Sequence, residues 1–577
     1  MYDLVIRNGT VVDGTGTPPR SADVAIEGDR IVAVGADLAA GKREIDADGK
    51  LVTPGWVDIH THYDGQATWD PHITPSGWHG VTSVVMGNCG VGFAPAQPDR
   101  HEWLIQLMEG VEDIPGSALA EGIQWQWETF PEYLDALEAT PRSVDIGTQV
   151  PHGAVRAYVM EERGARNEKA TPEDIERMSA IVKEAVEAGA LGFSTSRTFL
   201  HNAKDGEPVP GTFASEDELI GIGRALGEAG SGVFECASDL ADEKAEIAWM
   251  HAISKETGRP VTFACLQGDH DPKQWQRLLA ACEQSAADGG RVTPQVAARP
   301  AGLLMGLESS IHPFVVNKVY RTLAHLPLEE RVARMRDPEI RASILDDETP
   351  VASPMVRFMT SSFHKLFPLG DPPDYEPGPE ASVAAIAQRE GRRPVEVAYD
   401  MLLRQEGREL LYFPVLGYAE GNFDDMREMM LHPQSVFGLS DGGAHCATVC
   451  DASVPTYLLT HWARDRERGE RIPIEKLVAS QTRDTAALYD LNDRGVLAPG
   501  MKADVNVIDF EALRIGPPEM VKDLPTGAGR LLQSVEGYEY TICSGQVTYV
   551  NGKPTGAMPG KVIRGAQPAP NSATLAR

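Results

Sequence analysis

The chain opens with short β-branched runs broken by turn pairs. In YDLVIRNGTVVDG two apolar runs meet at Asn8-Gly9, a pair that favours a two-residue hairpin turn. ADVAIEGDRIVAVG repeats the pattern around Glu27-Gly28-Asp29. The far end is alike: KADVNVIDF is followed by YEYTICSGQVTYVNGKPTG, with turns at Ser544-Gly545 and Asn551-Gly552. Neither piece is large enough to bury a core alone. The expectation is one small β-sandwich domain built from both chain ends, 1–55 together with 495–577. Between them, apolar runs alternate with amphipathic stretches. The pattern predicts strands over Trp56–His62, Ser83–Cys89, Val144–Val150, Ala190–Ser196, Gly232–Ala237, Pro260–Gln267, Arg291–Ala298 and Val436–Asp441. Helical segments such as TPEDIERMSAIVKEAVEAG, with a Thr171 cap and Pro172 in the first turn, separate them. Eight such units make the expected fold α/β, a (β/α)8 TIM-like barrel over 56–494. The long gap before the last strand, roughly 300–430, reads as an insertion or lid.

Composition narrows the class. The chain has 577 residues, 42% hydrophobic and 24% charged, the mix of a globular protein. A net charge of −31 disfavours nucleic acid and anionic membranes, so the expected partner is a small-molecule substrate. Seven scattered cysteines fit no disulfide framework, and the first residues lack a signal-peptide pattern; the expectation is a cytoplasmic protein. No apolar run is long enough to span a bilayer. A homo-oligomer is left open.

A barrel gives PGWVDIHTHYDG a chemical meaning. Side chains at i and i+2 of a strand share a face, and barrel active sites lie at the C-terminal strand ends. His60 and His62 can therefore face the barrel mouth together as metal ligands. The plainer alternative makes one a core histidine and the other a surface residue.

PGWVDIHTH after a β-rich start, and DRGVLAPGMKADVNVIDF on the return, strongly resemble the amidohydrolase superfamily. GVTSVVMGNCGVGFAP, EAGALGFSTSRTF and FGLSDGGAH resemble its N-acyl-D-amino-acid deacylases, the D-aminoacylase family. The resemblance implies His60 and His62 as the first metal ligands and Cys89 of GNCG as a thiolate that binds zinc. Cys89 read alone is equally a small buried hydrophobe. Asp441 of GLSDGGAH is implied as metal ligand and as general base and acid; read alone it is also an Asx-turn or helix cap. His152 matches a family histidine near the substrate, set against a capping or packing role. An N-acyl amino acid carries a carboxylate, for which Arg197 and Arg299 are candidate partners, each also readable as a structural ion pair.

The sequence departs from the family at two zinc-binding histidines, at the ends of the fifth and sixth strands. SGVFECASDL and PVTFACLQGDH carry none at those places. Cys236, Cys265 and His270 are candidate replacement ligands, with Glu235 and Gln267 beside them. One zinc ion per chain is expected, two if these residues rebuild a second site. The implied activity is hydrolysis of a linear amide C–N bond by metal-activated water. The alternatives are hydrolysis or deamination of another C–N bond, cyclic or aromatic, at one metal, and a ligand-binding barrel without hydrolysis.

Overall fold

A computed structural model describes residues 1–347 and 349–570. In the first segment, Tyr2–Val11 is one continuous strand. The hairpin expected at Asn8-Gly9 does not form: its pairing with Arg20–Glu27 shifts register between Ile6 and Gly9, and Asn8 takes φ +58°. The turn pair makes a bulge because the strand continues to find partners beyond it. The other pairs do turn. Arg20–Glu27 pairs antiparallel with Arg30–Gly35 across Gly28-Asp29, and Tyr538–Cys543 pairs with Gln546–Val550 across Ser544-Gly545. Strands from both chain ends join one nine-stranded sheet, in which Leu51–Pro54 lies antiparallel to Val505–Ile508. Its apolar cluster draws on both ends, with Ile6, Val24, Val52, Val505 and Ile542 buried together.

The middle of the chain supplies parallel strands in sequence order. Trp56–Asp58, Val81–Met86 and Asp145–Thr148 form one sheet. Val150–Pro151, Gly192–Arg197, Val233–Ser238, Val261–Cys265, Val292–Val296 and Val436–Phe437 form the next. Gln149 sits between the two sheets and donates its N–H to Met86 O. Counting Asp145–Pro151 as one strand gives eight. A parallel bridge from Thr61 to Gly442 ties the end of the first to the end of the eighth. The helix Pro172–Ala188 starts at Thr171, whose hydroxyl accepts from Asp174 N while Asp174 returns the bond, a capping box worth about 1 kcal/mol. Between the seventh and eighth strands, Ala301–Met305, Leu411–Leu416 and Phe367–Pro368 form a separate small sheet with its own core around Phe314, Tyr399 and Phe413. Among the described residues no helix is long and apolar enough to cross a membrane.

A buried charge network locks the returning chain to the third parallel strand. Asp145 accepts from Arg494 Nη1 at 2.7 Å and pairs with Lys502 Nζ at 2.9 Å, and Lys502 also holds Asp504 at 2.7 Å. Burial alone would raise the Asp145 carboxyl; Lys502 and Arg494 outweigh it and hold it at about 2. Replacing Asp145 with Ala strands two buried cations, and we expect a loss of about 3–5 kcal/mol in urea unfolding. The network's contribution should be complete above the ordinary aspartate pKa of 3.8 and lost as pH falls through about 2. An unchanged midpoint for the variant at neutral pH would contradict this account.

Candidate metal centre

The strand ends bring four donors together. His60 and His62 follow the first strand, and the bond from His62 N–H to Gly442 O (2.8 Å) sets them beside the eighth. Asp441 Oδ1 lies 3.4 Å from His60 Nε2 and 3.7 Å from His62 Nε2. Cys89 Sγ lies 3.4 Å from His60 Nε2. His60, His62 and Cys89 each offer a donor atom within 4.8 Å of the other two. Ligands about 2.0–2.3 Å from a tetrahedral zinc ion stand about 3.3–3.8 Å apart, so these separations fit one small cation.

The backbone is held in uncommon conformations to achieve this. Cys89 has φ +56° and Asp441 φ +45°, left-handed values that cost a residue with a Cβ about 1–3 kcal/mol. Cys89 is fixed by its N–H donating to Glu235 Oε2 at 2.9 Å, and Gly90 by its N–H donating to Ser194 Oγ at 3.0 Å.

Contacts on the far side of each imidazole orient it. His60 Nδ1 lies 3.0 Å from Gln295 Oε1; the amide oxygen can only accept, so Nδ1 carries the proton and Nε2 is left free to bind. His62 Nδ1 stands 3.1 Å from Glu112 Oε1, off the hydrogen-bond line. Glu112 is the buried last residue of the helix His101–Glu112, and its other oxygen lies 3.9 Å from His445 Nε2. Burial pushes His60 down to about 4. Burial also opposes charge on His62, but Glu112 and Asp441 outweigh it and raise that imidazole to about 9. Asp441 is driven well below the carboxylate range: burial works against ionisation, and the nearby imidazoles of His62 and His60 prevail. Burial and the neighbouring acids push the Cys89 thiol far up. The pocket is built to hold positive charge, and a divalent ion suits its N, S and O donors.

Several sequence expectations are corrected here. His152 is fully buried on the outer side of the strands, with Nδ1 2.8 Å from Thr195 Oγ1 and Nε2 2.9 Å from Glu218 Oε1. Both ring nitrogens are committed, so it packs a helix against the fourth strand and has none to offer a substrate. Arg197 is held by Glu246, with Nε 3.0 Å from both oxygens and Nη2 2.7 Å from one, and so is not free for a substrate carboxylate. Cys236 points outward with its strand neighbours: Phe234 packs on Trp249, and Ser238 bonds Glu246 at 3.1 Å. Cys265 faces Cys282 on the helix Gln274–Ala287, and burial lifts both thiols to about 12. His270 is an exposed turn residue beside Gly268. None of these three replacement candidates reaches the donor cluster. Gln267 is bound to Asp425 at 2.6 Å.

Arg299 is buried behind Asp451 and Cys450, two residues that line a cavity next to Asp441. Its Nη2 bonds Asp451 and Cys450 O, its guanidinium lies 4.0 Å above the Tyr375 ring, and Nε and Nη1 have no partner. Arg530 lines the same cavity, paired with Asp523 at 2.8 Å. Sequence reasoning missed Glu112, Gln295 and Arg530, which lie outside the quoted motifs, and passed over His445, the last residue of FGLSDGGAH. His201 is half-buried against Ser196 Oγ (3.1 Å) and within the field of His445, His62 and Asp441.

Comparison with known proteins places the geometry in a wider set. Residues 43–549 match the amidohydrolase family. A D-aminoacylase of Alcaligenes xylosoxydans xylosoxydans is 36% identical over 260 residues, 45% of this chain, and the match spans about half (48%) of that protein's length. An N-acyl-D-glutamate deacylase of the same organism is 28% identical over 575 residues, 97% of this chain and 96% of that one. A solved D-aminoacylase, described for the role of its binuclear metal centre, superposes with a TM-score of 0.65 at 25% identity, covering 98% of this chain and 100% of that one.

The position of Glu112 yields a measurable consequence. Outer carboxylates of this kind tune metal affinity about 10–100-fold. Glu112→Gln should weaken zinc binding by that factor in chelator competition, and an unchanged affinity would remove Glu112 from this role.

Proposed function

The chain belongs to the amidohydrolase family, and on that premise we propose that it is a metal-dependent N-acyl amino acid deacylase of the D-aminoacylase kind. It is a hydrolase acting on C–N bonds other than peptide bonds. The observation that carries the finer reading is the convergence of His60, His62 and Cys89 on one spot, with Asp441 Oδ1 3.4 and 3.7 Å from the two imidazoles. We read the eight parallel strands as a closed (β/α)8 barrel over 56–494, with 1–55 and 495–577 as the β domain and 300–430 as an insertion. The donors then lie where barrel enzymes keep their chemistry.

One zinc-class ion per chain fits the donor set. Such an ion supplies Lewis acidity that polarises a carbonyl and acidifies water. The chain's own residues do the rest. His60 and His62 bind through Nε2; Gln295 sets the tautomer of His60, and Glu112 stands beside Nδ1 of His62. Asp441 is half-buried and stays ionised, so its carboxylate can take the proton of the attacking water. It then delivers that proton to the amide nitrogen, which leaves as an amine and not as a strongly basic anion. His201 and His445 are the imidazoles available at the mouth to hydrogen-bond the acyl oxygen.

For substrate, the names of the relatives support N-acyl-D-amino acids. Arg299, behind the cavity residues Asp451 and Cys450, keeps two buried nitrogens without a partner, which supports it as the partner of a carboxylate. Asp441→Asn should lower kcat/KM on N-acyl-D-amino acids by about 10²–10⁴-fold. Wild-type turnover in that variant would overturn the mechanism. Arg299→Gln should raise KM for N-acyl amino acids and leave weak cleavage of an N-acyl amine without a carboxylate unaltered; equal losses on both would deny Arg299 the recognition role.

A further inference from the structure

The fifth strand places a buried carboxylate beside the donor cluster, against the backbone of Cys89. Phe234, Cys236 and Ser238 contact the outer helix Glu243–Thr257 or its neighbours, so the intervening Glu235 projects inward. It is completely buried. One oxygen, Oε2, accepts the N–H of Cys89 at 2.9 Å. The other, Oε1, is buried and has no partner. Among the described residues no lysine, arginine or histidine nitrogen lies within ion-pair distance of Glu235; the charged groups whose fields reach it are His62 and Asp441 of the cluster. A buried carboxylate with a vacant oxygen and no counter-ion is costly unless a cation joins it. On the sixth strand the inward position is Ala264, flanked by outward Cys265, so that strand offers no ligand.

We propose that Glu235 is a direct carboxylate ligand of the cation held by His60, His62, Cys89 and Asp441, standing in for the absent fifth-strand histidine. This rests on the metal-centre reading above. The departure from the family pattern then becomes a change of donor on the same strand: the missing histidine's place falls near Cys236 or Ala237, Cys236 faces outward, and the inward Glu235 offers oxygen where the family has nitrogen. The resulting set of two imidazoles, one thiolate and carboxylate oxygen suits zinc or cobalt(II) and gives a single mixed site, since nothing on the sixth strand completes a second. The alternative is that Glu235 only braces the Cys89 backbone through Oε2.

Glu235→Gln separates the two, because the amide oxygen keeps the brace and removes the anionic ligand. With Zn2+ and Co2+ as probes, the variant should bind Zn2+ at least about 10-fold more weakly. Its cobalt d–d bands should shift in intensity and position while the thiolate charge-transfer band of Cys89 persists. Glu235→His should recover affinity above that of the Gln variant. Wild-type Zn2+ affinity together with an unchanged cobalt spectrum in Glu235→Gln would overturn the ligand role and leave the hydrolase reading intact. Failure of the wild-type chain itself to bind either ion would overturn both. Zinc-edge X-ray absorption on the wild-type protein and the Glu235→Gln variant tests the same point by counting neighbours. One sulfur with four nitrogen or oxygen neighbours is expected; one sulfur with three such neighbours, Glu235→Gln leaving them unchanged, would count against Glu235.

Discussion

Asp441 Oδ1 facing two imidazole nitrogens at 3.4 and 3.7 Å is the contact around which the strand ends are organised. It is a half-buried anion with other acids close by: Glu112 and Glu235 are buried near it, and Cys89 brings its thiol to His60. Protons alone cannot satisfy such a cluster at neutral pH without leaving lone pairs unused, and orphaned oxygens remain on both glutamates. A divalent ion satisfies them together. That requirement explains features that otherwise look unrelated, namely the left-handed backbone at Cys89 and Asp441 and the amide of Gln295 committed to a histidine.

What could be read from the sequence followed locality. His60 and His62 are two apart on one strand, so their joint placement is a matter of period alone. Asp441 stood out through the family motif, and the structure sets it against both histidines. The fifth strand shows the opposite case. FECAS places a carboxylate and a thiol on adjacent residues, and choosing between them needs the phase of the strand, which is set by Phe234 on Trp249 and Ser238 on Glu246. Arg197 was open to both readings, substrate cation and structural ion pair, because the partner that decides between them lies 49 residues away on a helix. Glu112 was invisible for the same reason, since nothing in its own helix announces that it ends against His62. Asn8-Gly9 misled differently: the pair fits a turn and a bulge equally, and the choice depends on the strand partners available beyond it.

The network of Asp145, Arg494, Lys502 and Asp504 shows how the two chain ends bear on the centre. Arg494 also donates to Ser83 Oγ on the second parallel strand at 2.8 Å, and that strand runs on to Cys89. The returning chain thus clamps the bases of two strands whose tips carry or adjoin the donors. Such a clamp is costly to break and confers rigidity where ligands must be held closely.

Arg530 belongs to the antiparallel pair Arg514–Val521 and Arg530–Glu536, far along the chain from the strands that carry the donors, yet it lines the cavity beside Asp441. On the proposed reading, reaction and recognition then fall on different stretches of polypeptide. Exchange of that ribbon between relatives, or a change in the length of its connecting turn, would recast one wall of this cavity without disturbing a donor atom. A lineage can explore new substrates along this route while its chemistry stays constant, and the ribbon becomes the natural place to look for divergence among otherwise similar enzymes.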